Sequence, residues 1–264
     1  MFNLKKSEVK SKSIYESTWK HLINIVDENI KIIDITQADI LSFKNYLISL
    51  DLSKNSKRTY FNCLRGIIKY AYRNNFIRND IMENIKSIKK QETKKVYLTE
   101  MEVKEISKVK NLNTSKQKNV KKAFLFSCYT GLRLSDIMKL DYSMIENNKI
   151  HFRQKKTTSY EYLPLSKTAL NLIKPIKKEG RVFDLPVRKA VNIYLKKIIK
   201  KTNIKKNVTY HTSRHTFATM CLTSGVDIYT VSKLLGHKSI ETTQIYAQII
   251  DDKKQEAVDK LPEL

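Results

Sequence analysis

The first 90 residues repeat apolar positions at helical spacing in three segments. The first covers 13–29, and the second begins at Thr36, a suitable N-cap with Asp39 in capping-box position. The third covers 55–77 and is the longest. These periods predict a small helical bundle over residues 1–90.

The third segment carries basic residues that its apolar face leaves free to point away from the bundle. We expect four of them to bind nucleic acid: Lys57, Arg58, Arg65 and Lys69. Residues 86–96 (KSIKKQETKKV) are rich in lysine and have hardly any apolar periodicity, which is typical of a solvated linker. We place the linker at 91–96, between a first domain at 1–90 and a second at 97–264.

The second domain combines helices with two strands. Thr99 and Glu102 stand in capping-box register, and the apolar helix within KKAFLFSCYTGLRLSDIMKLD is interrupted at Gly131. Residues 150–153 and 160–165 are β-rich runs separated by a polar, basic stretch, which predicts a hairpin. The last part of the chain is again helical. The predicted fold is therefore mainly α with a small antiparallel β-sheet in the second domain.

Composition narrows the class of partner. The chain has 264 residues, 41% of them hydrophobic, and carries 51 Lys plus Arg against 26 Asp plus Glu, a formal net charge of +25. This length favours two domains, and this charge indicates a polyanion, with nucleic acid as the first candidate. The alternative is an AT-rich genome whose codons favour Lys, Asn and Ile without any nucleic-acid binding.

Cysteine usage and hydropathy exclude several other classes. The three cysteines, Cys63, Cys128 and Cys221, lack CxxC spacing, so neither a disulfide framework nor a cysteine zinc site is indicated. No stretch approaches 18 apolar residues, and the N-terminus has no hydrophobic signal core. We expect a cytoplasmic protein without a membrane partner.

The stretch HTSRH is the first candidate for chemistry. His211 and His215 have the i, i+4 spacing of the HExxH zinc motif, but Thr212 replaces the glutamate and Arg214 would place a positive charge beside the metal. A metal site is therefore disfavoured. A helix start whose histidines merely cap and pack, and a site that handles a phosphate, remain as the two interpretations.

Two other residues favour the phosphate interpretation. Arg133 follows the Gly131 break. Two guanidinium groups can bind the non-bridging oxygens of a phosphodiester without a metal, and Arg133 and Arg214 are the candidates for that pair. Tyr246 stands nine residues after His237, and its phenolate has the chemistry to attack phosphorus. Because an ordinary tyrosine pKa is near 10, the phenol needs nearby positive charge and a base.

Three motifs in this order resemble the tyrosine recombinases of the phage integrase family. TGLRLSD is similar to that family's first arginine box, HTSRH to its His-x-x-Arg-His box, and LLGHKSIETTQIYAQ to the segment that leads to the nucleophile. The resemblance covers nearly the whole chain, although Asn79-Asp80 stands where the family commonly has Asn-Pro. It implies a two-domain, C-shaped DNA clamp with a SAM-like core-binding domain at 1–90 and a catalytic domain at 97–264.

The resemblance also implies a role for each motif residue. Tyr246 is the expected nucleophile, and Arg133 and Arg214 are the expected phosphate clamp. His211 is the expected proton acceptor for the tyrosine, and His237 the expected hydrogen-bond partner of the scissile phosphate. With these polar groups in place, the resemblance implies an active enzyme.

Four further positions match supporting or less certain places in the family pattern. Lys156, in the hairpin loop, matches the lysine that protonates the departing 5′ oxygen, and Lys155 is its competitor. Asp136 and His215 are expected to support the site from behind. Ser213 stands where relatives often have Leu or Ala, which changes the packing without removing a charge.

The implied activity is DNA strand transfer without a metal, a nucleotide or another cofactor. The implied partners are double-stranded DNA and further copies of the chain, as a homotetramer on two recombination sites and a monomer or weak oligomer without DNA. Two alternatives stay open: a non-catalytic helix-turn-helix regulator, with 240–248 as its recognition helix, and a type IB topoisomerase-like enzyme. The apolar tail after Tyr246 is expected to dock on a neighbouring protomer or on its own domain.

Overall fold

The computed structural model of the protein describes four stretches of the chain: residues 12–92, 95–153, 160–237 and 239–246. The chain divides into two compact units, residues 1–93 and residues 94–264. Within the described stretches, no helix combines the length and the apolar character needed to cross a membrane.

Over its described residues, the first unit is a helical bundle. Its helices are α1 (Lys12–Leu22), α2 (Gln37–Ser49) and α3 (Lys54–Arg73), with a 3-10 turn at Ile32–Asp34. Thr36 and Asp39 close the predicted capping box at the start of α2. The core contains apolar side chains from all three helices: Leu22, Ile40, Phe43, Leu47, Phe61, Leu64 and Ile68.

Helix α1 ends earlier than the apolar period predicts. The apolar period continues to Val26 and the predicted segment to residue 29, whereas α1 ends at Leu22. The side-chain amide of Asn24 donates to the carbonyls of Lys20 at 2.8 Å and His21 at 3.4 Å. The Asn24 side chain thus bonds carbonyls at the end of α1, and the backbone N–H of Asn24 also donates to the carbonyl of His21. Val26, beyond the end of the helix, is still buried in the core.

The segment 85–91 lies along α3. Asn55 pairs with the backbone of Gln91 in both directions, at 2.8 and 3.0 Å. The hydroxyl of Ser87 donates to the side-chain oxygen of Asn62 at 2.6 Å. Polar side chains of α3 thus hold a segment that has no regular structure of its own.

The helices described in the second unit are α4 (Glu100–Lys108), α5 (Ser115–Thr130), α6 (Leu134–Ile137), α7 (Lys167–Ile173), α8 (Arg188–Ile199), α9 (Thr212–Thr223) and α10 (Ile228–Leu234). Helix α5 is the centre of the core. It packs against α4, α7, α8 and α9, and its second half is buried on most sides. The capping box of Thr99 and Glu102 at the start of α4 is present, as predicted.

The second unit also contains an antiparallel sheet in the order β1-β2-β3. Its strands are β1 (Ile145–Glu146), β2 (Lys149–Arg153) and β3 (Tyr160–Pro164), and Ile150 pairs with Leu163. The predicted hairpin of β2 and β3 is confirmed. The sequence did not predict β1, since two residues are too short to show a period of two. Asn147 and Asn148 connect β1 to β2 with φ angles of 49° and 59°, as a tight hairpin turn requires.

Gly131 ends α5 and directs the chain into α6. Its φ of +67° is left-handed, and its N–H donates to the carbonyl of Ser127. A Cβ on Gly131 would lie 2.6 Å from Cδ1 of Phe217 and 2.8 Å from Cδ2 of Leu235. Glycine is therefore required here both by the backbone conformation and by the close approach of α9 and α10.

We predict that Gly131→Ala destabilises the second unit by more than the backbone strain alone. Alanine at a left-handed φ costs about 1–2 kcal/mol, and overpacking against Phe217 and Leu235 adds about 1–3 kcal/mol. Gly225→Ala is the matched control, because Gly225 has a φ of +88° but no atom within 4 Å of an added Cβ. Urea unfolding of the two variants measures the difference, and equal losses of stability would contradict the steric argument.

Candidate active site

Helix α9 is the element on which the candidate site is built. The hydroxyl of Thr216 accepts a hydrogen bond from the backbone N–H of Leu98 at 3.0 Å. Just before the helix, the Tyr210 hydroxyl lies 2.9 Å from the Ser127 hydroxyl in the core. Ser213 is fully buried, and its hydroxyl donates to the carbonyl of Tyr210 at 2.7 Å. These bonds satisfy the buried hydroxyls of Ser213 and Thr216 and attach the start of α9 to the core.

Arg214 points from α9 into the protein interior and is only 4% exposed. Its guanidinium donates to the carbonyl of Gly131 at 2.7 Å and to the carbonyl of Leu235 at 2.5 Å. Burial, followed by the positive charge of Arg133, lowers the pKa of Arg214 to about 10, which leaves it charged at neutral pH. Since a guanidinium has five N–H groups, these two bonds orient the side chain without using all of its donors.

A cavity of about 200 Å³ lies beside Arg214, and we call it the arginine pocket. Arg133, the N-cap residue of α6, is exposed and lines the same cavity. The two arginines predicted to form a phosphate clamp therefore share one pocket. The full lining is Leu132, Arg133, Leu134, Asn192, Thr209, Tyr210, His211 and Arg214.

Two of the predicted histidines lie close to this positive charge. His211 lines the arginine pocket, where partial burial and then the charges of Arg214 and Arg133 lower its pKa. His237 follows Gly236, and its Nδ1 lies 2.8 Å from the hydroxyl of Thr243. Burial, followed by the charges of Arg214 and Arg133, lowers the pKa of His237 to about 4. Near neutral pH His237 is therefore an uncharged imidazole.

Tyr246 is buried, with 3% of its surface exposed, and its hydroxyl contacts a histidine of α9. The contact is with His215, whose Nδ1 lies 2.6 Å from the Tyr246 oxygen. Burial raises the pKa of Tyr246 to about 12, although the charge of Arg214 opposes the rise. The family resemblance implies that His211 is the proton acceptor for the tyrosine, and this role stays a prediction. The structure places His215 on the tyrosine hydroxyl and His211 in the pocket.

Comparisons with known families match both parts of the chain to one family. Residues 96–253 match the model of the phage integrase family, and residues 2–90 match that of the phage integrase SAM-like domain. The chain belongs to the phage integrase family. It is 30% identical over 245 residues to a tyrosine recombinase of Thermosipho africanus, covering 86% of this chain and 85% of that one. It is 29% identical over 240 residues to the tyrosine recombinase XerC of Lacticaseibacillus casei, covering 82% and 80%.

Solved structures of integrases have a similar fold. A lambda integrase dimer bound to a COC′ core site matches with a TM-score of 0.71 at 20% identity, covering 97% of this chain and 92% of that one. The Tn1549 transposon integrase in complex with circular intermediate DNA matches with a TM-score of 0.66 at 18% identity, covering 89% and 88%. Membership of the integrase family makes the protein a site-specific recombinase, and neither alternative function is favoured.

The helix-turn-helix alternative predicts a recognition helix at residues 240–248. This prediction is wrong over residues 240–246, the part of that segment that the structure describes. Residues 240–246 form two 3-10 turns, Ile240–Thr242 and Gln244–Tyr246. The Ser239 hydroxyl accepts the N–H of Glu241, and Thr243 donates back to the carbonyl of Ile240. These short-range bonds close 3-10 turns in place of an α-helix.

The two residues expected to support the site, Asp136 and His215, both lie in the described part of the chain. The hydroxyl of Ser135 donates to the Asp136 carboxylate at 3.2 Å, and the negative charge of Asp136 favours the charged form of Arg214. The hairpin-loop residues Lys155 and Lys156 lie outside the described residues. Among described His, Cys, Asp and Glu side chains, no group of three is arranged to hold a metal ion.

The basic residues of α3 hold parts of their own unit together. Arg65 donates to the carbonyl of Ile85 at 2.8 Å, and Arg58 donates to that of Ile88 at 2.5 Å. Lys57 donates to a carbonyl at the end of α2 at 2.7 Å. These three side chains and Lys69 are half-buried. Their predicted contact with nucleic acid stays a prediction, and the structure adds a stabilising role for the first three.

Three residues near the histidines were not predicted from the sequence. Asn192 of α8 and Thr209 line the arginine pocket. The side-chain oxygen of Asn192 accepts the backbone N–H of Tyr210 at 2.9 Å, and so supports the turn into α9. Lys95, assigned to the linker, lowers the pKa of both His211 and His215 by its charge. No local motif marks these positions, since only the tertiary contacts bring them to the site.

We predict that the neutral state of His215 makes the second unit sensitive to acid. Burial, followed by the charges of His211, Lys95 and Arg214, lowers the pKa of His215 to about 4 from its ordinary value of 6.5. The folded state thus resists protonation, so stability present above pH 6.5 is lost as the pH falls towards 4. The loss at pH 4.5 is on the order of 2 kcal/mol.

Urea unfolding at pH 7 and pH 4.5 measures this loss. His215→Asn is the comparison, because asparagine does not titrate, while the other acid-sensitive groups are common to both proteins. The wild type should lose more stability than the variant. An equal loss in the two proteins would show that His215 titrates normally.

Proposed function

We propose that this recombinase breaks and rejoins DNA strands through a 3′-phosphotyrosine formed on Tyr246. The observation that carries the proposal is the contact between the Tyr246 hydroxyl and His215 of α9. The same helix contains Arg214, which is buried beside the arginine pocket. One helix thus contacts the proposed nucleophile and supplies half of the proposed phosphate clamp.

In the proposed reaction, a DNA phosphodiester occupies the arginine pocket. Arg133 and Arg214 bind its non-bridging oxygens, where negative charge gathers in the transition state. The Tyr246 oxygen forms a bond to phosphorus, and the bond from phosphorus to the 5′ oxygen breaks.

The phenolic proton, which faces His215 before the reaction, passes to His211, whose ring centroid lies 4.7 Å from that of His215. Lys156 supplies the proton to this leaving oxygen. Religation is the same sequence in reverse with the 5′-hydroxyl of the partner strand.

The reaction is proposed to need neither a metal nor a nucleotide. The two arginines supply the positive charge that a metal ion would otherwise provide. The phosphotyrosine ester conserves the energy of the broken bond, so rejoining needs no ATP. Neutral His237 is the proposed hydrogen-bond partner of the phosphate, while Asp136 supports the charged state of Arg214.

Double-stranded DNA is the proposed partner, in agreement with the net charge of +25. The named structural neighbours include integrases bound to DNA. We propose that domain 1–90 and domain 97–264, joined by linker 91–96, both contact the duplex, and that four protomers act on two sites. The proposed location is the cytoplasm.

We predict that Tyr246→Phe abolishes covalent attachment and retains DNA binding, since only the attacking oxygen is removed. The assay is SDS-resistant adduct formation on nicked suicide duplexes taken from DNA flanking the gene, with gel-shift binding alongside. Tyr229→Phe is the matched control, because Tyr229 is 60% exposed on α10. Wild type and Tyr229→Phe should form the adduct. An adduct that persists in Tyr246→Phe would assign the nucleophile to another residue.

We predict that Arg214→Ala slows adduct formation by about 10²- to 10³-fold, the usual cost of removing one donor to a developing oxyanion. Arg188→Ala, at an exposed position of α8, is the control for the loss of one positive charge. Because Arg214→Ala also leaves the Gly131 and Leu235 carbonyls without their partner, circular dichroism must first show that the variant is folded. A folded variant with the wild-type rate would remove Arg214 from the clamp.

A further inference from the structure

The described structure gives the Tyr246 side chain a short polar contact inside the protein. The oxygen lies 2.6 Å from Nδ1 of His215, and the two rings meet at 60° with their centroids 5.7 Å apart. Tyr246 is 3% exposed and His215 is 9% exposed. Both polar atoms are therefore withdrawn from bulk water, and a hydrogen bond between them is strongly preferred over leaving either unpaired.

The histidine partner is held more firmly than the tyrosine. His215 lies within α9, where the Thr219 hydroxyl donates to its carbonyl at 2.9 Å. Tyr246 lies at the end of a 3-10 turn, and its backbone N–H donates to the carbonyl of Thr243 at 3.0 Å. The His215 side chain, on a helix, thus provides a fixed hydrogen-bond partner for the Tyr246 side chain, which lies on a short turn.

The neighbour of His215 in the chain is the proposed clamp residue Arg214. The Arg214 guanidinium is fixed by the carbonyls of Gly131 and Leu235. A hydrogen bond between His215 and Tyr246 therefore holds the phenolic oxygen at a fixed place relative to the helical turn that also carries the Arg214 guanidinium. Orientation at this level matters, because a displacement of about 1 Å at a reacting atom costs about 10²-fold in rate.

We propose that His215 is the positioning residue of the nucleophile: by accepting the hydroxyl hydrogen of Tyr246, it fixes the phenolic oxygen relative to Arg214. The proposal rests on the proposed function, in which Tyr246 attacks the phosphodiester. It gives His215 a specific contact with the reacting side chain, whereas the sequence resemblance implied only a supporting role.

The pKa values of His215 and Tyr246 favour a hydrogen bond that positions the phenol over transfer of the phenolic proton to His215. The pKa of His215 is lowered to about 4, whereas that of Tyr246 is raised to about 12. Proton transfer from the phenol to His215 is therefore strongly uphill, and an effective general base has a pKa near the working pH. The same low pKa makes His215 a neutral imidazole at neutral pH. In the tautomer that carries its proton on Nε2, Nδ1 accepts the hydroxyl hydrogen of Tyr246.

Two substitutions separate positioning from proton transfer. His215→Ala removes the acceptor, and His215→Asn places an amide oxygen near the position of Nδ1, which accepts a hydrogen bond but takes up no proton. We expect His215→Ala to slow adduct formation on the suicide duplex by about 10- to 100-fold. We expect His215→Asn to restore the rate to within a few-fold of wild type, with an unchanged pH dependence between pH 6 and 9.

The controls concern binding and the loss of an imidazole. Gel-shift affinity for the duplex should be the same in both variants, since His215 does not line the arginine pocket. His21→Asn, in the bundle of the first unit, removes a different histidine and should leave the rate unchanged. A His215→Ala variant with the wild-type rate overturns the proposal. So does a His215→Asn variant that is as slow as His215→Ala and gains rate with pH, because that result identifies a base.

The hydrogen bond itself is measurable without the reaction. The chain has five histidines, so nitrogen-15 NMR of the imidazoles is tractable. We expect Nδ1 of His215 to be unprotonated and hydrogen-bonded, with its resonance shifted in Tyr246→Phe. A resonance that does not change in that variant overturns the positioning role even if the adduct forms.

The failure of the proposed function and the failure of this inference give different results. If the wild type forms no adduct, the proposed function is overturned and the inference with it. If the adduct forms and depends on Tyr246 but His215→Ala has normal kinetics, the inference alone is overturned.

Discussion

The burial of the Arg214 guanidinium constrains the whole second unit. A buried charge is costly unless it is paired or fully hydrogen-bonded. Here its partners are the carbonyls of Gly131 and Leu235, which are the C-cap residues of α5 and α10. Helix C-termini carry partial negative charge and unsatisfied carbonyls, so both ends gain from the cation between them. Three helices are thus joined at one side chain, and Gly131 must lack a Cβ for them to approach.

The same concentration of positive charge determines the state of the surrounding histidines. The arginine charges contribute to the lowered pKa values of His211, His215 and His237, in addition to burial. Neutral imidazoles are acceptors as well as donors, so they form defined bonds with hydroxyl groups, as His237 does with Thr243. The charge of the pocket stays with the guanidinium groups, where a phosphate would be bound.

Much of the local structure was predictable because its causes are local. The capping boxes at Thr36 and Thr99, the helix end at Gly131 and the hairpin of β2 and β3 depend on residues close together in the chain. The errors have equally physical reasons. The side-chain amide of Asn24 donates to carbonyls at the end of α1, within a continuing apolar period, and short-range bonds produce 3-10 turns before Tyr246.

The sequence by itself determined the inventory of the site, because the motifs that carry Arg133, Arg214 and Tyr246 have a family-specific order and spacing. Only the tertiary structure decided which side chains meet. The contact of Tyr246 with His215 joins residues 31 positions apart, and the arginine pocket also takes in Asn192 from another helix. Spacing along a helix restricts the face on which a histidine lies, but the packing of separate helices decides what that face contacts.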